Sequence, residues 1–252
     1  MPKIEYMGMV DASTVDCCGK GVCAVVYLCG CPFRCPWCHN AEIATGSKQC
    51  MSSDANEIVS SLKENFLVQS VTLTGGEPLE QEYLLALIDR IKKETGLAVK
   101  LDTNGFYSKR LAYALPRIDS LSMDIKASLN EKYGISVGRA DWENVVEKIN
   151  ESLILLSKWD NPKEARTTIV PGITDTIEDI EKITLAVKKG GFQRYILQQF
   201  RPDKTLDPEY RKLKSPALAL MQELGAAAKK ELPDCRVYVV SAQKGMEEIR
   251  KK

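Results

Sequence analysis

Short β-rich runs alternate along this chain with longer stretches whose apolar residues recur at helical spacing. The extended runs are Cys23–Leu28 (CAVVYL), Ser70–Thr74 (SVTLT), Ala98–Asp102 (AVKLD), Ser120–Ile125 (SLSMDI), Ala165–Val170 (ARTTIV) and Tyr195–Phe200 (YILQQF). Between them the spacing predicts helices over Asp54–Phe66, Glu80–Thr95, Ser108–Leu115, Asp141–Lys158 and Ile177–Lys189. Leu84, Leu87, Ile88 and Ile91 form one such apolar face. Asp54 followed by Glu57 reads as a capping box, Gly96 after Lys92 and Lys93 as a helix stop, and Pro171-Gly172 as a strand stop.

Six strands separated by five helices predict an α/β fold with a parallel sheet wound right-handedly. A barrel and a doubly wound sheet both fit that alternation. The unusual residues decide between them, because nearly all fall at or just after the C-terminal end of a strand. A barrel gathers its chemistry on that face. The expectation is therefore a partial (βα)₆ barrel of TIM type, one domain over residues 1–252 with its core at 20–202. A C-terminal extension, 203–252, should carry a helix near Pro216–Lys230, a strand at Cys235–Ser241 and a last helix. Ile4–Val10 reads as an added edge strand.

Composition narrows the function classes. With 44% hydrophobic and 27% charged residues, the chain resembles an ordinary soluble protein. Its 35 basic and 34 acidic side chains leave a formal charge of +1, so no general attraction to nucleic acid or anionic membrane is expected. The basic end, Arg250-Lys251-Lys252, reads as a solvated helix end. No apolar run reaches the ~20 residues that span a bilayer, and no signal-peptide pattern opens the chain. A cytosolic (cytoplasmic) location is the expectation.

Eight of nine cysteines lie between residues 17 and 50. In a cytosolic protein an odd total argues against structural disulfides and for metal ligation. The density of thiols also suggests an anaerobic owner. Cys31-Pro-Phe-Arg-Cys35-Pro-Trp-Cys38 is C-x₃-C-x₂-C, which can bind three corners of an iron–sulfur cube and leave the fourth iron open. A zinc knuckle completed by His39 is the alternative, although the second ligand pair usual for zinc is absent. Cys17, Cys18, Cys23 and Cys29 are irregularly spaced and read as buried or incidental thiols rather than a second cluster. No role is read for Cys50 or Cys235.

The C-x₃-C-x-aromatic-C motif, with Trp37 in the aromatic place, resembles the signature of the radical S-adenosylmethionine (radical SAM) superfamily. The resemblance implies a 4Fe–4S cluster on Cys31, Cys35 and Cys38 whose open iron chelates S-adenosylmethionine. An electron then splits the sulfonium to give methionine and a 5′-deoxyadenosyl radical. Trp37 would lie near the adenine, or simply pack in the core. Gly75-Gly76-Glu77-Pro78 resembles the family's GGEP motif, which receives the methionine amino group; paired glycines let backbone approach and a carboxylate complements an ammonium. Asp102-Thr103-Asn104-Gly105 resembles a segment in which Asp102 or Asn104 would touch the ribose hydroxyls or help hold a monovalent cation. Asp124 and Lys126 resemble a D-x-K pair, the lysine neutralising the substrate carboxylate and the aspartate flanking a cation. Arg166 ahead of Val170-Pro171-Gly172 would meet a carboxylate in the barrel or make a surface ion pair, and Gln198 sits where relatives place a polar ligand.

Cys38-His39-Asn40 resembles the ending typical of activases of glycyl-radical enzymes, though Asn40 also suits helix initiation. The likeness, over residues 10 to 202, is nearest to activating proteins of anaerobic ribonucleotide reductase. Thr14-Val15-Asp16 and Gly19-Lys20 support it, whereas Cys17-Cys18 departs from the usual pattern. What it implies is an oxidoreductase that abstracts a glycine Cα hydrogen on a partner enzyme, fed by a flavodoxin- or ferredoxin-type electron donor. Asn130–Ala140 would be a flexible loop over the site. The alternatives are a radical SAM enzyme for a small molecule, similar to 7-carboxy-7-deazaguanine synthase, and a non-catalytic iron–sulfur or zinc scaffold.

Overall fold

The computed structural model describes residues 3–15, 17, 21–46 and 50–250. They group into two compact units, one of 1–32 with 40–122 and one of 33–39 with 123–252. Asp16, Cys18, Gly19, Lys20, Lys251 and Lys252 lie outside the described residues.

In the first unit, β1 (Lys3–Ser13), β2 (Cys23–Leu28), α1 (Ala41–Ala44), β3 (Met51–Asp54), α2 (Ala55–Glu64), β4 (Ser70–Gly75), α3 (Leu84–Thr95), β5 (Ala98–Thr103) and α4 (Ser108–Ala114) follow in order. β2, β4 and β5 are parallel; β1 runs antiparallel to both β2 and β3. The expected N-terminal edge strand is thus internal, and the edge is β3, whose sequence MSSD carries no apolar signal.

Alternation splits the sheet into two chemistries. Val71, Leu73, Val99 and Leu101 are fully buried on one face of β4 and β5, and α3 contributes Leu84, Leu87, Ile88 and Ile91 to the same core. Each such side chain contributes roughly 1.5–3 kcal/mol of burial. The other face carries Tyr27, Thr72, Thr74, Lys100 and Asp102, with Tyr27 opposite Thr74 and Thr72 opposite Lys100. Asp54 caps α2 by accepting Asn56 N–H at 3.0 Å; Glu57 bonds the Ser53 hydroxyl, so the capping box forms only in part.

The chain passes into the second unit within β6 (Ser120–Asp124). There follow α5 (Glu131–Val137), α6 (Trp142–Ser157), β7 (Lys163–Ile169), α7 (Ile177–Gly190), β8 (Arg194–Gln199), α8 (Leu218–Glu231), β9 (Arg236–Ser241) and β10 (Gly245–Ile249). β7, β8 and β9 are parallel and β10 is antiparallel to β9. Two expectations are corrected. The last helix is instead β10, because the turn at Gly245 (φ 67°) returns the chain along β9. Most of Asn130–Ala140 is the capped helix α5 rather than a loop: Asn130 accepts Lys132 N–H, Gly138 ends it, and Lys132 pairs with Asp179 at 2.6 Å. The α/β class with mostly parallel strands is as expected. Among the described residues no helix is long and apolar enough to cross a membrane.

The cysteine reading also needs correction. Cys29 and Cys50 form a disulfide with a Cα–Cα distance of 6.2 Å. Spacing could not show this, because it follows from β1: Tyr6 faces Leu28 on one side and Met51 on the other, bringing the next positions, Cys29 and Cys50, within reach. The bond closes a segment with a sequence separation of 21 that contains Cys31, Cys35 and Cys38. A Cys50→Ser variant should therefore unfold with about 3 kcal/mol less stability in urea, and equal midpoints would show that the bridge does not constrain the unfolded chain. Cys17 Sγ lies 2.7 Å from Cys23 Sγ without a disulfide.

Candidate active site

The C-terminal ends of the parallel β2, β4 and β5 share one edge of the first unit, where Cys31, the Gly75–Pro78 segment, the Asp102–Gly105 segment and Asn40 lie. Gly76 N–H donates to Leu28 O (2.9 Å) and Glu77 N–H to Gly30 O (2.8 Å), so the strand pairing of β4 continues along the cysteine loop. A Cβ on Gly76 would stand 2.0 Å from Gly30 O, and one on Gly75, at φ 124°, 2.2 Å from Leu28 O. These glycines are required by close backbone approach. Asn40 occupies the position before α1, yet its side chain does not cap the helix; Nδ2 donates to Gly75 O at 3.1 Å. Gln81, which no sequence signal marks, donates to Cys29 O (2.7 Å) and accepts Glu5 N–H (3.0 Å).

Glu77 is fully buried and its carboxylate is engaged from within. Oε1 accepts Leu79 N–H at 3.0 Å and the Thr103 hydroxyl at 2.8 Å, and Oε2 accepts Asn104 N–H at 2.6 Å. Pro78 follows as the first residue of a 3₁₀ turn, where its missing N–H costs nothing. Asn104, 4% exposed, directs Nδ2 to Cys31 Sγ at 3.6 Å while its Oδ1 accepts Phe106 N–H at 2.9 Å. Asp102 is paired with the buried Lys100 at 3.1 Å. Its charge is balanced by the protein itself.

The second unit holds Cys35, Trp37, Cys38 and His39. Cys38 N–H closes a turn on Cys35 O (3.0 Å), Arg34 N–H bonds Val137 O at the end of α5, and Asp207 N–H bonds Pro36 O. Trp37 is buried, its ring 6.2 Å from that of Tyr210. His39 Nε2 lies 3.0 Å from Arg201 O. Lys126 pairs with Asp124 at 3.0 Å. Burial alone would lower the Lys126 pKa, but Asp124 and Cys35 outweigh it and hold the ammonium well above its ordinary value. Burial pushes the Cys35 thiol up to about 11 against the pull of Lys126, so a metal must displace its proton.

Arg166, on β7, is mostly buried, its side chain 14% exposed. Its Nε and Nη2 bind Glu164 two residues earlier on β7, and Glu164 also meets Arg194 at 3.4 Å. Gln198 is half-buried and opposite Thr168 on the strand face that Arg166 shares. Neighbouring Gln199 faces the other way and bonds Pro216 O and Ala242 N–H.

The donor chemistry suits an iron–sulfur cluster. Cys31, Cys35 and Cys38 lie outside the disulfide and offer the soft sulfur ligands such clusters take, and Cys31 faces a side-chain N–H. Among the described residues no group of three or more His, Cys, Asp or Glu is gathered about a single metal ion.

Comparison with known proteins agrees with this chemistry. Residues 25–187 match the model of the radical SAM superfamily. The chain is 34% identical over 241 residues to a Methanocaldococcus jannaschii protein provisionally named a glycyl-radical enzyme activating enzyme, covering 95% of this chain and 98% of that one. It is 29% identical over 194 residues to the pyruvate formate-lyase-activating enzyme of Clostridium pasteurianum, covering 73% and 74%. The solved structure of a radical SAM methyltransferase from Sphaerobacter thermophilus shares the fold, with a TM-score of 0.64 at 14% identity over 96% of this chain and 78% of that one.

Proposed function

Because this chain belongs to the radical SAM superfamily, whose members use a 4Fe–4S cluster and S-adenosylmethionine, we propose that it installs a glycyl radical on a partner enzyme, and that the partner is an anaerobic ribonucleotide reductase. One observation carries the reading: the 34% identity with a protein named as a glycyl-radical activating enzyme extends over 95% of the chain. The choice of reductase rests on the resemblance around Thr14-Val15-Asp16 and Gly19-Lys20.

Cys31, Cys35 and Cys38 would hold the cluster. When bound, it supplies the electron that splits S-adenosylmethionine into methionine and a 5′-deoxyadenosyl radical. The protein's part is to bind, orient and shield. The Gly75–Pro78 loop would receive the methionine amino group through its backbone, since the Glu77 carboxylate is already taken by three donors. Lys126, held protonated, would receive the methionine carboxylate. Trp37 would flank the adenine and Gln198 would add a polar contact. Asp102 and Arg166, each matched by an internal partner, would set the charge of the polar strand faces. A flavodoxin- or ferredoxin-type protein would deliver the electron.

Anaerobically reconstituted, reduced protein incubated with S-adenosylmethionine and an anaerobic ribonucleotide reductase should produce 5′-deoxyadenosine and a persistent glycyl doublet in electron paramagnetic resonance. 5′-Deoxyadenosine formed without a doublet on that partner would reject the reductase. Turnover of a small molecule in its place would reject the activase reading.

A further inference from the structure

Asn104 lies where the resemblance puts a ribose contact, but both ends of its side-chain amide are already used. The orientation is fixed by chemistry. Phe106 N–H can only donate, so it selects Oδ1 (2.9 Å) and leaves Nδ2 facing Cys31 Sγ at 3.6 Å. Turning the amide over would set a donor against Phe106 N–H and an oxygen against the sulfur.

The backbone beneath that amide is pinned as firmly. Glu77 Oε2 accepts Asn104 N–H at 2.6 Å, while Oε1 holds the Thr103 hydroxyl, which itself accepts Gly105 N–H at 3.0 Å. Glu77 is in turn fixed to the cysteine loop by its own N–H on Gly30 O. The glutamate of the GGEP segment, the asparagine after β5 and the first cysteine therefore form one hydrogen-bonded chain. Glu77 and Asn104 are 0% and 4% exposed, so water does not compete for these bonds.

We propose that Asn104 tunes the cluster by donating an N–H···S hydrogen bond to the Cys31 ligand, and that Glu77 is the positioning residue that holds it there. The inference rests on the reading that Cys31 ligates the cluster. Reduction places extra electron density on cluster and ligand sulfurs, so a donor aimed at one of them stabilises the reduced state more than the oxidised one and raises the potential. Such a donor would ease reduction of the cluster and, by the same shift, make the reduced cluster a weaker donor to the sulfonium.

The test uses the full chain, reconstituted anaerobically with iron and sulfide. Asn104→Leu keeps the number and branching of the heavy atoms and removes the donor. Asn104→Ala adds no charge and serves if the leucine variant fails to fold. Iron content is measured first, then the potential by a redox titration of the reduced-cluster resonance, then the hyperfine coupling from ¹⁵N-labelled asparagine. The variants should load four irons yet show an about tenfold lower reduced-to-oxidised ratio at fixed applied potential, equivalent to about 59 mV for a one-electron couple. The ¹⁵N coupling seen in the wild type should vanish, and Glu77→Gln should weaken it by loosening the Asn104 backbone. An Asn104→Leu variant that is fully loaded and keeps the wild-type potential would overturn the proposal, and an unchanged ¹⁵N coupling in Glu77→Gln would overturn its second half. A wild type that takes up no cluster would instead overturn the reading on which it rests.

Discussion

Gly76→Ala should abolish cluster loading and destabilise the protein by about 3 kcal/mol or more. Its Cβ would lie 2.0 Å from Gly30 O and 2.8 Å from Gly30 C, and backbone atoms of a paired strand extension cannot step aside as a side-chain end can. Relief requires breaking the Gly76–Leu28 or the Glu77–Gly30 bond, and the second of these holds the segment leading into Cys31. Gly96→Ala is the control. It has a left-handed backbone (φ 70°) but nothing within 4 Å of the added methyl, so it should cost only about 1–2 kcal/mol and leave iron uptake intact. Urea denaturation of the unloaded protein and iron analysis after reconstitution check both. Normal iron uptake by Gly76→Ala would show that the cysteine loop does not depend on this clamp.

Lys126→Met should weaken S-adenosylmethionine binding by about 10- to 150-fold while leaving cluster loading unchanged. A charge-assisted hydrogen bond contributes about 1.5–3 kcal/mol, and each 1.4 kcal/mol is tenfold in affinity. Lys126 is mostly buried, paired with Asp124 at 3.0 Å and held protonated, so no change of pH near neutrality would substitute for the mutation. Equilibrium binding of S-adenosylmethionine to the loaded, oxidised variant measures the loss. Unchanged affinity would mean that another cation receives the carboxylate.

The sequence made the parallel strands legible because their apolar runs are bounded by Gly, Pro and Asp. It put the candidate residues Cys31, Gly75, Asp102 and Asp124 at or just after strand ends, whereas Arg166 lies in the middle of β7. It failed wherever the outcome depends on a distant partner. β3 is visible only once β1 offers it an edge, and the Cys29–Cys50 bond only once β1 has paired on both sides. Glu77 looked like a carboxylate for an ammonium, and nothing local reveals that it already accepts from Thr103 and Asn104. Asn40 looked like a helix cap, yet Gly75 O, 35 residues away, competes successfully for its amide. Lys100, hidden in a strand pattern, gave no hint that it balances Asp102. Motif position is a local property, whereas the assignment of each polar atom is settled by the tertiary fold.

Metal analysis of anaerobically reconstituted full-length protein tests the central claim most directly, read beside a variant in which Cys31, Cys35 and Cys38 are all alanine. The wild type should hold four irons and four acid-labile sulfides per chain and form 5′-deoxyadenosine when reduced, and the variant neither. One zinc per chain, or a full cluster retained by the triple variant, would contradict the account.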